Sequence, residues 1–125
     1  MNQSEHADVA VVDDDFVVLE SIMDLLASAG LSALRFSSAR EFLDSPALDT
    51  VGCLVSDIRM PDMDGWELRA IVAARRPELP IILITAHEAD ERQASPDSRQ
   101  LLLGKPFDAQ RLLSAITSVL RQPKA

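Results

Sequence analysis

The pattern of this chain predicts an α/β fold: a doubly wound parallel sheet of five strands with helices on both faces. Two observations carry that prediction. Five short apolar runs alternate along the chain with segments of helical periodicity, and such alternation builds a parallel sheet. The runs, "PIILIT" above all, show no polar alternation, which suits strands buried on both faces. Crossovers between them should be right-handed.

The elements follow in order. "VAVV" (9–12) is the first strand. "FVVLESIMDLLASAG" sets Phe16, Leu19, Ile22, Met23 and Leu26 at helical spacing, with Gly30 as the C-terminal stop. "LSALRF" reads as the second strand. In "SAREFLDSP", Ser38 and Glu41 fit a capping box and Pro46 ends the helix. "VGCLVS" is the third strand and "GWELRAIVAARR" the third helix, stopped by Pro77. "PIILIT" and "RQLLLG" are the fourth and fifth strands. Asp108 can cap a last helix carrying Leu112, Leu113, Ile116, Val119 and Leu120.

Composition bounds the function. The chain has 125 residues, 47% hydrophobic and 26% charged, which suits one globular domain with a real core. No run approaches the ~18 apolar residues that span a bilayer, and "MNQSEHADV" is no secretory signal. The one cysteine, Cys53, sits inside an apolar run and reads as a buried structural thiol. Together these point to the cytoplasm. A net charge of −8 disfavours binding of nucleic acid or an anionic membrane by this chain.

In open α/β sheets, sites form at the carboxyl ends of the strands. There the first strand offers Asp13, Asp14 and Asp15, the third Asp57, the fourth Thr85, and the fifth Lys105 followed by Pro106. A carboxylate at the end of a buried strand, as in "CLVSDIRMPDMDG", is out of place in a core and asks for a function. Hard oxygen donors without Cys or a suitable His suit Mg²⁺, and clustered carboxylates repel unless a cation is present. Lys105 supplies a point charge for a phosphoryl oxygen and Thr85 a hydroxyl donor. A carboxylate can itself carry an aspartyl-phosphate. Phosphoryl transfer needs mostly positioning and charge neutralisation, so Asp57 is a candidate phosphoryl acceptor.

"VVDDD", "LVSDIRMPDMDG", "LIT" and "KPF" together resemble the signatures of the response-regulator receiver domain of two-component signalling. The likeness runs from about Val9 to the last helix. Its texture is most similar to receivers of LuxR-type regulators. The resemblance implies a flavodoxin-like sheet of strand order 2-1-3-4-5 and a single receiver domain over 1–125, with its core at about 7–121. It makes Asp57 the phosphoacceptor, Asp14 a direct Mg²⁺ ligand alongside Asp57, Asp13 a second acid acting through water, and the backbone carbonyl of Arg59 a further ligand. Thr85 becomes the switch hydroxyl, Lys105 the phosphate-contacting lysine, and Gly65 the turn that starts the third helix. The implied partners are a sensor histidine kinase or phosphotransfer protein, with a homodimer on phosphorylation. Asp15 reads as a helix N-cap, His87 as a loop residue, and Met60, Met63 and Trp66 as packing near the loop after Asp57.

Two rival readings stand beside this one. "DDDFV" also fits D-x-D-x-V, the opening of haloacid-dehalogenase-type phosphatases, with Asp13 as nucleophile and Asp15 as acid; that reading leaves "DIRMPDMDG" without a purpose. The other is a degenerate receiver that binds partners without phosphorylation. The chain does depart from the receiver pattern between Thr85 and Lys105. The stretch "AHEADERQASPDSRQLLLG" is shorter than usual, lacks the Gly-Ala entry to the fifth strand, and carries Pro96 where a fourth helix would run. Leu102 stands where the family has an aromatic residue. A short, irregular or mobile fourth helix is the expectation.

Overall fold

The computed structural model describes residues 7–85, 100–104 and 109–121. Along them run β1 (Val9–Val12), α1 (Phe16–Ser28), β2 (Ala33–Phe36), α2 (Ala39–Leu43), α3 (Ala47–Thr50), β3 (Cys53–Asp57), α4 (Gly65–Arg75), β4 (Ile81–Thr85), β5 (Gln100–Gly104) and α5 (Ala109–Arg121). The strands form one sheet in the order β2-β1-β3-β4-β5, with every pairing parallel. This is the predicted doubly wound architecture. The segment 86–99, with the expected fourth helix, His87 and Pro96, lies outside the described residues, as do Lys105 and Asp108 and the side chains of Thr85 and Leu102.

Why the strands carry no polar alternation is visible in how they are covered. Successive side chains on a strand point to opposite faces. On one face Val9 and Val11 of β1, Cys53 and Val55 of β3, and Ile82 and Ile84 of β4 pack with Leu19, Ile22 and Leu26 of α1 and with Leu112 and Ile116 of α5. On the other face Ala10, Val12, Leu54, Ile81 and Leu83 pack with Phe42 of α2, Leu48 of α3, and Leu68 and Val72 of α4. Both faces are interior, so both need apolar residues. Burial also pushes the Cys53 thiol up to about 12, which keeps it protonated and inert at neutral pH.

Three local readings need correction. Phe16 does not join the α1 stripe; it is 66% exposed, as Val17 is at 72%. At 100° per residue Phe16 sits roughly 90° from the centre of the Leu19–Ile22–Leu26 stripe. The second helix is not one helix ended by Pro46. It stops at Leu43, and Pro46 is the N-cap of α3. Proline cannot donate within a helix but is well suited to starting one. The capping box of α2 is also split. Glu41 N–H donates to Ser38 Oγ (3.1 Å), but the Glu41 carboxylate accepts from Ser37 N–H (2.8 Å) rather than from that of Ser38.

The end of α1 is as expected. Gly30 has φ +77°, its N–H donates to Ala27 O, and Leu31 N–H donates to Leu26 O. Those two bonds form a Schellman closure, which needs a residue at ease in the left-handed region. One tie was not foreseen. The Arg76 guanidinium, just beyond α4, donates to Leu48 O (3.1 Å) and Val51 O (2.6 Å), tying the end of α3 to the end of α4.

Candidate functional site

Register builds the site. β1 and β3 are neighbours, and Val12 pairs with Ser56. The next residue on each strand is therefore Asp13 and Asp57, side by side at the carboxyl edge. Both continue the odd-numbered rows that face α1 and α5. Asp13 is 1% exposed and Asp57 7%, while Asp14 is open to solvent. Each of the three offers a carboxylate oxygen, and these oxygens lie within 4.8 Å of one another. No thiol or imidazole joins them among the described residues. Three oxygen donors of this kind suit a hard divalent cation, and the repulsion among them makes a cation welcome.

The flanking backbone is held tightly. Asp15 N–H donates to Asp13 Oδ1 at 2.9 Å. Asp15 itself caps α1, its Oδ1 accepting from Val17 N–H (3.0 Å) and Val18 N–H (3.4 Å). That agrees with the N-cap reading and engages the carboxylate that the phosphatase reading needs as an acid. Asp13 N–H donates to Phe36 O (3.1 Å), so the edge between β1 and β2 stays paired up to the acid cluster.

On the other side, the loop 58–64 leaves β3 and returns to start α4. Gly65 N–H donates to Ile58 O (2.8 Å), closing the loop. A Cβ on Gly65 would stand 2.7 Å from the Asp57 carbonyl oxygen and 2.8 Å from Ile58 Cα, closer than real Cβ atoms come. Gly65 is thus required by close approach and not by its own backbone angle, since the positive φ in this loop belongs to Asp62. Within the loop Met63 N–H donates to Pro61 O (2.8 Å) around Asp62 at φ +68°, a tight three-residue turn. Asp64 caps α4 in a full capping box with Glu67 (2.9 and 3.1 Å). Met60, Met63 and Trp66 pack half-buried against the core beneath this loop, and Arg59 is exposed on it.

Of the sequence-predicted site residues, the structure therefore brings Asp13, Asp14 and Asp57 together and puts Arg59 on the adjoining loop. β4 ends at Thr85 and β5 at Gly104, paired in register. The side chain of Thr85 and all of Lys105 fall outside the described residues. Sequence reasoning missed the Asp15 N–H bond to Asp13 and the steric reason for Gly65. The first had a signal in the N-cap position of Asp15, and the second had none, because it depends on the return path of the loop.

Comparison with known proteins agrees with this geometry. The response regulator receiver domain family matches residues 9–117. The transcriptional regulatory protein FixJ of Bradyrhizobium diazoefficiens is 36% identical over 118 residues, covering 91% of this chain and 57% of FixJ. The response regulator protein TmoT of Ectopseudomonas mendocina is 36% identical over 124 residues, covering 97% of this chain and 56% of TmoT. The chain thus spans about half the length of these relatives. Among solved structures, the receiver domain of nitrogen regulatory protein C is similar at a TM-score of 0.78 and 34% identity, with 91% of this chain and 94% of that one covered. Among the described residues no helix is long and apolar enough to cross a membrane. The chain belongs to the response regulator receiver domain family of two-component signalling, a signalling domain rather than a conventional enzyme.

Proposed function

We propose that Asp57 is the phosphoacceptor of this receiver and that Asp13, Asp14 and Asp57, with the Arg59 carbonyl, form its Mg²⁺ site. The observation that carries the reading is the meeting of three carboxylate oxygens within 4.8 Å at the carboxyl edge of adjacent parallel strands. Asp14 and Asp57 would be direct ligands, and Asp13 would act through water. Bound there, the cation neutralises the carboxylates and the incoming phosphoryl oxygens.

The chain's own residues supply the rest. An Asp57 carboxylate oxygen attacks phosphorus in line. The P–N bond of a phosphohistidine on a sensor histidine kinase or phosphotransfer protein breaks, and its electron pair stays on the imidazole nitrogen. Burial of Asp57 limits the approach of water, and the closed 58–64 loop fixes the backbone that carries it. Thr85 would donate to a phosphoryl oxygen and Lys105 would contact it as a point charge. Phosphorylation would then alter the surface offered to a downstream output or to a second copy of the chain. This reading puts the exchange in the cytoplasm and needs no nucleic-acid contact by residues 1–125.

Incubation with a small phosphodonor and Mg²⁺ tests it. The wild type should acquire an acid-labile, hydroxylamine-sensitive label that Asp57→Asn loses. Full labelling of Asp57→Asn would overturn the assignment, and a label moved to Asp13 would favour the phosphatase reading.

A further inference from the structure

We propose that Asp15 is a positioning residue for the cation site, acting through the cap of α1 and not through its charge. The inference rests on the proposed Mg²⁺ role of the Asp13–Asp14–Asp57 cluster. Two sets of bonds meet at this residue. Its side-chain Oδ1 accepts from Val17 N–H and Val18 N–H, which commits the carboxylate to the first turn of α1. Its carbonyl accepts from Leu19 N–H at 2.9 Å, starting the helix ladder. Its own N–H donates to Asp13 Oδ1.

The orientation of that N–H is set by the peptide plane between Asp14 and Asp15, and the cap and the ladder fix the chain on its C-terminal side. Asp14 is the residue in between, so the same peptide carries both the proposed direct ligand and a donor to Asp13. The core anchors α1 through the fully buried Leu19, Ile22 and Leu26; in the first turn only Val18 packs against it, half-buried, while Phe16 and Val17 are exposed. Side-chain packing therefore holds the first turn through Val18 alone, and the Asp15 cap adds a tie to the acid cluster. Loss of the cap should let the Asp13–Asp15 segment move and blur the ligand geometry. Groups that orient metal ligands typically cost about 10-fold or more in affinity when removed.

The alternative role for Asp15 is electrostatic, as a further negative charge beside the cation. The two roles separate cleanly. Asn caps a helix about as well as Asp but carries no charge, whereas Ala does neither.

The test is calorimetric titration of the apo protein with MgCl₂, alongside apo melting curves. Asp15→Ala should weaken Mg²⁺ binding about 10-fold, and Asp15→Asn should stay within about 2-fold of wild type. Ile116→Val, a loss of packing in α5, which gives no carboxylate to the cluster, should lower the melting temperature yet leave Mg²⁺ affinity unchanged. Unaltered affinity in Asp15→Ala would overturn the proposal. So would an equal loss in Asp15→Asn and Asp15→Ala, which would assign the effect to charge. A fall in Ile116→Val matching that in Asp15→Ala would also overturn it, by showing that affinity merely follows stability. A wild type that does not bind Mg²⁺ would overturn the cation site itself and this inference with it.

Discussion

Two helices start beside the acid cluster, and they are anchored in different ways. α4 starts on a steric fit: Gly65 lies against the backbone of Asp57 and Ile58, its N–H closes the loop on Ile58 O, and a full capping box secures the first turn. α1 starts on one carboxylate, that of Asp15, and leaves Phe16 and Val17 in solvent. The α4 start is locked to the residue proposed to react. The α1 start is tied to the residues proposed to hold the cation through the chain itself and the hydrogen bond from Asp15 N–H to Asp13. One anchor therefore tolerates almost no change of shape, and the other tolerates change as long as a capping group survives.

Substitutions at the two starts should separate accordingly. The largest effect belongs to Gly65→Ala. A Cβ there meets backbone, which cannot rotate away, and overpacking of this kind costs about 1–3 kcal/mol. Urea melts should show that loss, and a cost under about 0.5 kcal/mol would mean that the loop yields easily. Asp64→Ala comes next. It removes the side chain that accepts from Glu67 N–H, and a lost N-cap costs about 1 kcal/mol. Asp64→Ser should recover most of it, since serine caps nearly as well. Smallest are Phe16→Ser and Val17→Ser, exposed positions where stability should stay within about 0.5 kcal/mol of wild type. A larger fall would show that Phe16 or Val17 supports the first turn of α1 and would erase the contrast between the two starts.

The same contrast explains what the sequence could disclose. Continuous apolar runs such as "VAVV" and "PIILIT" named the strands, because a strand covered on both faces has no polar side to show. Asp13, Asp14 and Asp57 could be grouped because strand ends converge in an open parallel sheet, and the Val12–Ser56 register then makes Asp13 and Asp57 neighbours. The Asp15 cap was legible as local chemistry, since it needs only a carboxylate before a helical stretch. What could not be read depends on chain path. Pro46 was seen as a stop, but that α3 starts there turns on the backbone after Asp44. The contact of Gly65 with the Asp57 carbonyl exists only because the loop 58–64 folds back on the strand it left. Phe16 fits the apolar spacing of the helix loosely, and spacing alone does not say how wide a stripe the core covers.

The central claim, that three carboxylates at one sheet edge form a ready cation site, is tested most directly by the melting temperature with and without Mg²⁺. Saturating metal should stabilise the wild type by roughly 1–3 kcal/mol, a rise of several degrees for a domain of this size. Asp14→Ala should melt at least as high as wild type without metal, because one repelling charge is gone, and should gain nothing from Mg²⁺. A wild-type melting temperature that does not respond to millimolar Mg²⁺ would contradict the claim.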